Sequence, residues 1–362
     1  MKIGLILSND WELFGDGSGD YFEIQHQPLE ALLQTAKDHG AKISVMAETA
    51  QQWAHLDLSN QYAWAKEISE AWISILQNTL RHGSDVQLHI HPQWLNAKYS
   101  DATNQWVLNS ADVSIANRPQ EELEKLLGKG KAYLESILKP VDSNYACSTF
   151  RAGAFAIEPY ARYLKALRKT GFHFDSSIVP GLTLAPFFNF QQYPCGTSSW
   201  RIDDSILELP IHTIATWMPP ILRRALPRSI FEAVAFGTKA QDYSWFETRD
   251  EFAIAKYPAS KHTLMLQNTA TFFDKFRSKV INRSKFILDY DFLSADVFVS
   301  ILKRKLKEHN KDDGVLIVTA LGHAKNVHNS DNLKRILGSI NTQLKDRVSY
   351  LTYSDVNRML PS

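Results

Sequence analysis

The chain has 362 residues, 44 % of them apolar and 11 % aromatic, which is enough to fill a substantial core. Lys and Arg total 40 against 39 Asp and Glu, so the formal charge of +1 argues against a nucleic-acid-binding role and gives no general bias toward an anionic membrane. The two cysteines, Cys147 and Cys195, exclude a disulfide scaffold, share no metal-type spacing and fit packing roles in a reduced compartment.

At the N-terminus the apolar run Ile3 to Leu7 is far shorter than that of a signal peptide and passes at once into Ser8-Asn9-Asp10-Trp11-Glu12. It predicts a strand, Lys2 to Leu7. No stretch approaches the ~20 apolar residues that cross a bilayer, so a cytoplasmic protein, at most peripheral to a membrane, is expected. Pro28-Leu29 opens a helix with Leu29, Leu32, Leu33 and Ala36 on one face and Gly40 at its end; Ala41 to Ala47 reads as the second strand. Trp64, Ile68, Trp72, Ile75 and Leu76 form a further core-facing helical stripe, and Val86 to His91 alternates as a third strand. A long polar segment, Pro92 to Arg118, leads to a helix over Pro119 to Leu138.

A fourth strand lies within Ala146 to Ala156, a helix starts at Glu158-Pro159, and Gly171 precedes His173-Phe174-Asp175. From 181 to 262 the rhythm is lost in a Pro- and aromatic-rich stretch with one strand-like piece, Ile206 to Ile214, which predicts an insertion within a single domain spanning 1–362. Alternation returns with Lys285 to Tyr290, a helix capped by Ser294, the strand Gly314 to Thr319, a helix capped by Ser330, and Val348 to Thr352. Strands alternating with helices predict an α/β fold around a mostly parallel sheet or barrel.

Four motifs sit where such folds build sites, at the carboxyl ends of strands. Asp10 and Glu12, two apart in an extended chain, project to one side and could divide the work of metal ligand and general base. His89 and His91 share a face by the same rule, and two imidazoles with a carboxylate are a common ligand set for catalytic zinc. His323, past the strand Gly314 to Thr319, would reach the same rim as a general acid, and Arg151 at the end of the fourth strand could orient a carboxylate base. Trp11, Trp94 and Trp106 lie in the rim loops, where aromatic faces suit sugar rings.

In this order the motifs resemble the NodB-type polysaccharide deacetylases, carbohydrate esterase family 4, and within it the branch with His89-Ile90-His91-Pro92, Phe150-Arg151-Ala152-Gly153 and Asp175-Ser176-Ser177. Leu351-Thr352-Tyr353-Ser354-Asp355 is similar to that branch's closing strand. The resemblance implies a deformed (β/α)7 barrel, a divalent metal, usually zinc, and hydrolysis of an N-acetyl group from an acetamido sugar in a polysaccharide or glycan precursor. It implies Asp10 as catalytic base, Glu12, His89 and His91 as metal ligands, Arg151 as the group orienting Asp10, and His323 as the proton donor to the leaving amine. The chain departs from the common pattern in having Asn9-Asp10 where many relatives carry two aspartates, which leaves open Asp10 as the ligand, and in spacing its histidines by two rather than four. A barrel that binds a glycan or partner without turnover, or an amidohydrolase-type metal site, are the alternatives. Residues 218–228 combine apolar and basic side chains as a peripheral membrane contact would, although their prolines oppose a continuous helix.

Overall fold

The structure is a computed structural model that describes residues 2–109, 111–184, 187–239, 283–309, 314–326 and 330–359. Its centre is a nine-stranded sheet. In chain order the strands are β1 (Lys2–Trp11), β2 (Ile43–Glu48), β3 (Asp85–Ile90), β4 (Thr149–Ala152), β5 (Phe174–Asp175), β6 (Trp200–Arg201), β7 (Leu207–Glu208), β8 (Val315–His323) and β9 (Val348–Tyr350). They lie in the order β6-β7-β5-β4-β3-β2-β1-β8, with β9 beside the start of β1. Every pairing is parallel except that of β6 with β7. Beyond β7 the chain reaches the opposite edge, where Ile211 bridges Thr319 of β8 and the His212 N–H donates to the Thr319 carbonyl at 2.9 Å. The sheet therefore curls until its two edges meet.

Helices α1 (Gln27–Asp38), α2 (Thr49–Leu58), α3 (Ala63–Arg81), α4 (Gln120–Leu138) and α5 (Tyr160–Lys169) connect the first strands. Parallel strands buried on both faces read as continuous apolar runs, and Ile3, Leu5, Ile6 and Leu7 are all fully buried. Between sheet and helices lies the large core, with Leu7, Val45, Leu88 and Phe150 from the strands. Ile6, Met46, Phe174 and Leu209 form a second, smaller cluster with Tyr353 and Val356 of the C-terminal helix, Tyr353–Met359. Two residues further along β1, Ser8 begins a polar layer above this plug, because successive inward positions alternate with outward ones.

β1 runs on to Trp11, past the expected end at Leu7, because its polar residues find partners. The Ser8 hydroxyl donates to the Ala320 carbonyl at 2.7 Å; Asn9 Nδ2 donates to the Tyr290 hydroxyl at 2.9 Å and Asn9 Oδ1 accepts from the Ala324 N–H at 3.1 Å. Helix α2 carries no amphipathic signal, since its first seven residues are all buried and no polar face marks it. Trp72 is fully buried as expected, whereas Trp64 is only partly buried. Cys147 is buried and both cysteines are free.

The insertion expected over 181–262 is interrupted by sheet structure. The strand-like piece Ile206 to Ile214 contains β7, which pairs with β5, and the start of Thr213–Ala215, which pairs with Lys285–Ile287 of the expected strand Lys285 to Tyr290. Two short helices follow, Pro220–Ala225 and Arg228–Phe236, leaving Trp217, Ile221, Leu222, Ile230 and Val234 exposed; 240–262 lies outside the described residues. Among the described residues no helix is long and apolar enough to cross a membrane.

Asp175 and Glu208 stand opposite each other in register on β5 and β7, and both are fully buried. Asp175 Oδ1 accepts from the Tyr163 hydroxyl at 2.7 Å and the Ser177 hydroxyl at 2.6 Å, and Glu208 Oε1 accepts from the Ile178 N–H at 3.1 Å. Asp175 Oδ2 and Glu208 Oε2 accept nothing else, so the pair holds a proton between them. Burial, with the Asp175 charge acting on Glu208, holds these carboxyls above their ordinary range. The folded pair thus keeps a proton that the unfolded chain loses above about pH 4, and stability falls as pH rises from there. Glu208→Gln, which supplies a permanent donor to Asp175, is expected to stabilise the fold by about 1 kcal/mol or more at pH 8 and by much less at pH 5. Denaturant melts at the two pH values check this; an equal effect at both contradicts it.

Candidate metal centre

Parallel register assembles the site. Asp10 of β1 lies opposite His323 of β8, and Glu48, His89 and Arg151 are successive register partners across β2, β3 and β4. All stand at the carboxyl ends of their strands, with Glu12 and His91 one position beyond.

Arg151 is the most constrained of these groups. Its side chain is fully buried; Nη1 is bonded to Asp10 Oδ1, Nε donates to the Ser176 carbonyl at 2.9 Å, and Nη2 donates to the hydroxyls of Ser8 and Ser176, each at 3.0 Å, and of Tyr353 at 2.8 Å. Burial raises the Asp10 carboxyl, but the guanidinium, helped by His89 and His323, brings it below the ordinary value. Asp10 is therefore an ionised carboxylate with one oxygen tied down and Oδ2 turned toward His323, whose Nε2 is 3.8 Å away.

Glu12 gathers the imidazoles. Its Oε2 is 2.5 Å from His91 Nε2 and 3.3 Å from His89 Nε2, while Oε1 is bonded to Lys325 Nζ. Burial opposes ionisation of Glu12, but His91 and Lys325 hold it well below the usual range. His89 Nδ1 meets the Arg151 carbonyl at 2.9 Å, so it carries the proton and leaves Nε2 as a lone-pair donor. That Nε2 is buried without a hydrogen-bond partner. His91 is fixed from two sides: its N–H donates to Glu48 Oε2 at 2.5 Å, and Gly153 lies so close that a Cβ there would come within 2.7 Å of His91 Cγ. The chain then turns sharply through Ala154 and Phe155, both at positive φ, a strain that residues beside sites commonly carry.

Ligand atoms of Glu12, Glu48, His89 and His91 all lie within 4.8 Å of one another. An ionised carboxylate, two imidazoles and an unpartnered buried lone pair are the donor set a divalent cation takes, so the residues present fit such an ion.

His323 lies partly exposed on the far wall. Its backbone N–H donates to Asp291 Oδ2 at 2.6 Å, and burial, reinforced by Lys325, lowers the pKa of its imidazole to about 4. Burial, with Glu12 nearby, raises Glu48 to about 8, against the pull of His91.

The structure thus brings Asp10, Glu12, His89, His91, Arg151 and His323 together. Trp94 and Trp106 are neighbours in an adjacent aromatic cluster, with ring centroids 5.3 Å apart. Trp11 is not at the rim: it is fully buried, its Nε1 donates to the Gln25 carbonyl at 2.9 Å, and its ring lies 5.5 Å from that of Trp72. As a residue between Asp10 and Glu12 on a strand, it must point to the opposite face. Sequence reasoning missed Glu48 and Lys325. Glu48 ends β2 as Asp10 nears the end of β1, so the rule that singled out Asp10 applies to it; Lys325, two residues past His323, carries no motif.

No family model and no curated protein matches the chain. Among solved structures it is similar to a protein from Mycobacterium smegmatis assigned as a polysaccharide deacetylase, at 10 % identity over 99 % of this chain and 90 % of that one, with TM-score 0.46. It is also similar to the 4-alpha-glucanotransferase from Thermococcus litoralis, at 11 % identity over 99 % of this chain but only 40 % of that one, TM-score 0.48. A third is the family 4 carbohydrate esterase from Streptomyces lividans in complex with acetate, at 9 % identity over 96 % of this chain and 91 % of that one, TM-score 0.36.

Proposed function

We propose that this protein is a divalent-metal-dependent hydrolase, with zinc the best-fitting ion, that removes N-acetyl groups from an acetamido sugar of a polysaccharide or glycan precursor on a deformed (β/α)7 barrel of the NodB type. The observation that supports it most is Glu12 between His89 and His91, beside an Asp10 that Arg151 holds ionised.

In this reading Glu12 Oε2, His89 Nε2 and His91 Nε2 hold the cation. The ion supplies Lewis acidity and lowers the pKa of water from about 15.7 toward about 7. Asp10 Oδ2, the oxygen Arg151 leaves free, takes the proton from the attacking water. His323, neutral at rest, receives that proton from Asp10 and delivers it to the departing nitrogen, so acetate and a free amine leave. Arg151 and the hydroxyls of Ser8, Ser176 and Tyr353 fix the orientation of Asp10 throughout.

A second reading, a glycan-binding barrel without turnover, draws on Lys325, whose ammonium takes the second oxygen of Glu12. Acetate release from N-acetylglucosamine oligomers and acetylated peptidoglycan fragments, by zinc-loaded and metal-stripped full chain, separates the two. Release that depends on the metal is expected; none from any acetamido sugar by metal-loaded protein overturns the deacetylase reading.

A further inference from the structure

The two acids of the site are each met by a cation at one oxygen. Arg151 engages Asp10 Oδ1 and leaves Oδ2 toward His323. In the same way Lys325 engages Glu12 Oε1 and leaves Oε2 between the imidazoles of His89 and His91. The first pairing orients the base; the second acts on the side chain that gathers the imidazoles.

The fold delivers Lys325 to Glu12. It lies on the turn Ala324–Asn326, directly after β8. β8 pairs with β1 through Asn9–Gly322 and Asp10–His323, and the Ala324 N–H donates to Asn9 Oδ1 at 3.1 Å. Gly322 packs on Tyr290, since a Cβ there would come within 2.1 Å of the ring, and the Tyr290 hydroxyl accepts from Asn9 Nδ2 at 2.9 Å. Lys325 Nζ also donates to the Leu13 carbonyl at 3.4 Å, and its side chain is only 15 % exposed. An ammonium so placed and shielded from water holds its carboxylate more firmly than a surface pair does.

A glutamate can bind a divalent cation through one oxygen or through both. With both, Glu12, His89 and His91 would supply four donor atoms and complete a tetrahedral set; with one they supply three, and a fourth position is left. We propose that Lys325 is a positioning residue that restricts Glu12 to one-oxygen ligation and so keeps a coordination position open for the reactants. The proposal rests on the reading of Glu12, His89 and His91 as metal ligands. A nearby ammonium also repels the ion and occupies a donor atom, so Lys325 weakens metal binding while keeping the bound metal usable.

The test compares wild type, Lys325→Met and Lys325→Arg as zinc-reconstituted full chains. Zinc affinity, read by competition with a chromogenic chelator, is expected to be equal or tighter in Lys325→Met, while turnover on the N-acetylglucosamine tetramer falls about 10–100-fold, the usual effect of losing an outer partner of a metal ligand. Lys325→Arg should restore most of the turnover, because a guanidinium also holds a carboxylate oxygen. In protein labelled with 13C-glutamate, the infrared difference between zinc-loaded and zinc-free chain reads the ligating carboxylate itself. Its two stretches should lie far apart in wild type, as in one-oxygen ligation, and draw together in Lys325→Met, as in two-oxygen ligation. Close stretches in wild type, the same separation in both proteins, zinc affinity weakened tenfold or more in folded Lys325→Met, or undiminished turnover by that variant of an active enzyme overturns the proposal. Zinc binding with the expected infrared change but no acetate release would fail the deacetylase reading alone; zinc-dependent acetate release without that change would fail this proposal alone. No zinc in the wild type would fail the metal reading and this proposal with it.

Discussion

Asp10→Asn is expected to lower turnover by about 10²–10⁴-fold, the contribution of a positioned general base, while the protein keeps its metal. Asn retains the oxygen that Arg151 grips and loses only the capacity to take a proton from water. The prediction separates the two acids of the site, because Asp10 Oδ1 is engaged by Arg151 whereas Glu12 Oε2 faces both imidazoles. Acetate release assayed alongside metal content checks it. Loss of metal in Asp10→Asn would exchange the roles of Asp10 and Glu12.

Arg151→Met is expected to cost about 3–5 kcal/mol of stability, because it strands a buried carboxylate without its counter-charge. It also removes the donor that ties together Ser8, Ser176 and Tyr353, which come from β1, the end of β5 and the C-terminal helix. Since domains are stable by about 5–15 kcal/mol, such a loss leaves little margin. Arg151→Lys should rescue only part of it, as an ammonium has no planar fork to meet these partners together. Thermal melts of the three proteins decide the matter. A melting temperature within a few degrees of wild type for Arg151→Met would show that Asp10 is not held ionised by this pair.

Strand alternation made much of the site legible. A period of two pairs Asp10 with Glu12 and His89 with His91, and both pairs lie together in the structure. The same period, applied one residue over, sends Trp11 into the helix-facing core, where it packs on Trp72. Glu48 went unread although the expected strand Ala41 to Ala47 stops one residue short of it, because it stands alone there, without a second acid or imidazole two positions away to mark a site. The partners of Arg151 come from segments up to 202 positions distant, a convergence no local pattern carries. β7 falls within the strand-like piece Ile206 to Ile214, but its place between β5 and β6 comes from pairing that no local pattern carries.

The central claim, that Glu12, His89 and His91 hold a divalent cation, is tested most directly by metal content. The purified full chain, reconstituted with zinc and freed of excess, should carry about one ion per chain. The His89→Ala, His91→Ala double variant, treated identically and shown by circular dichroism to keep its fold, should carry none. No metal in the wild type after reconstitution, or equal metal in the folded double variant, would contradict the account.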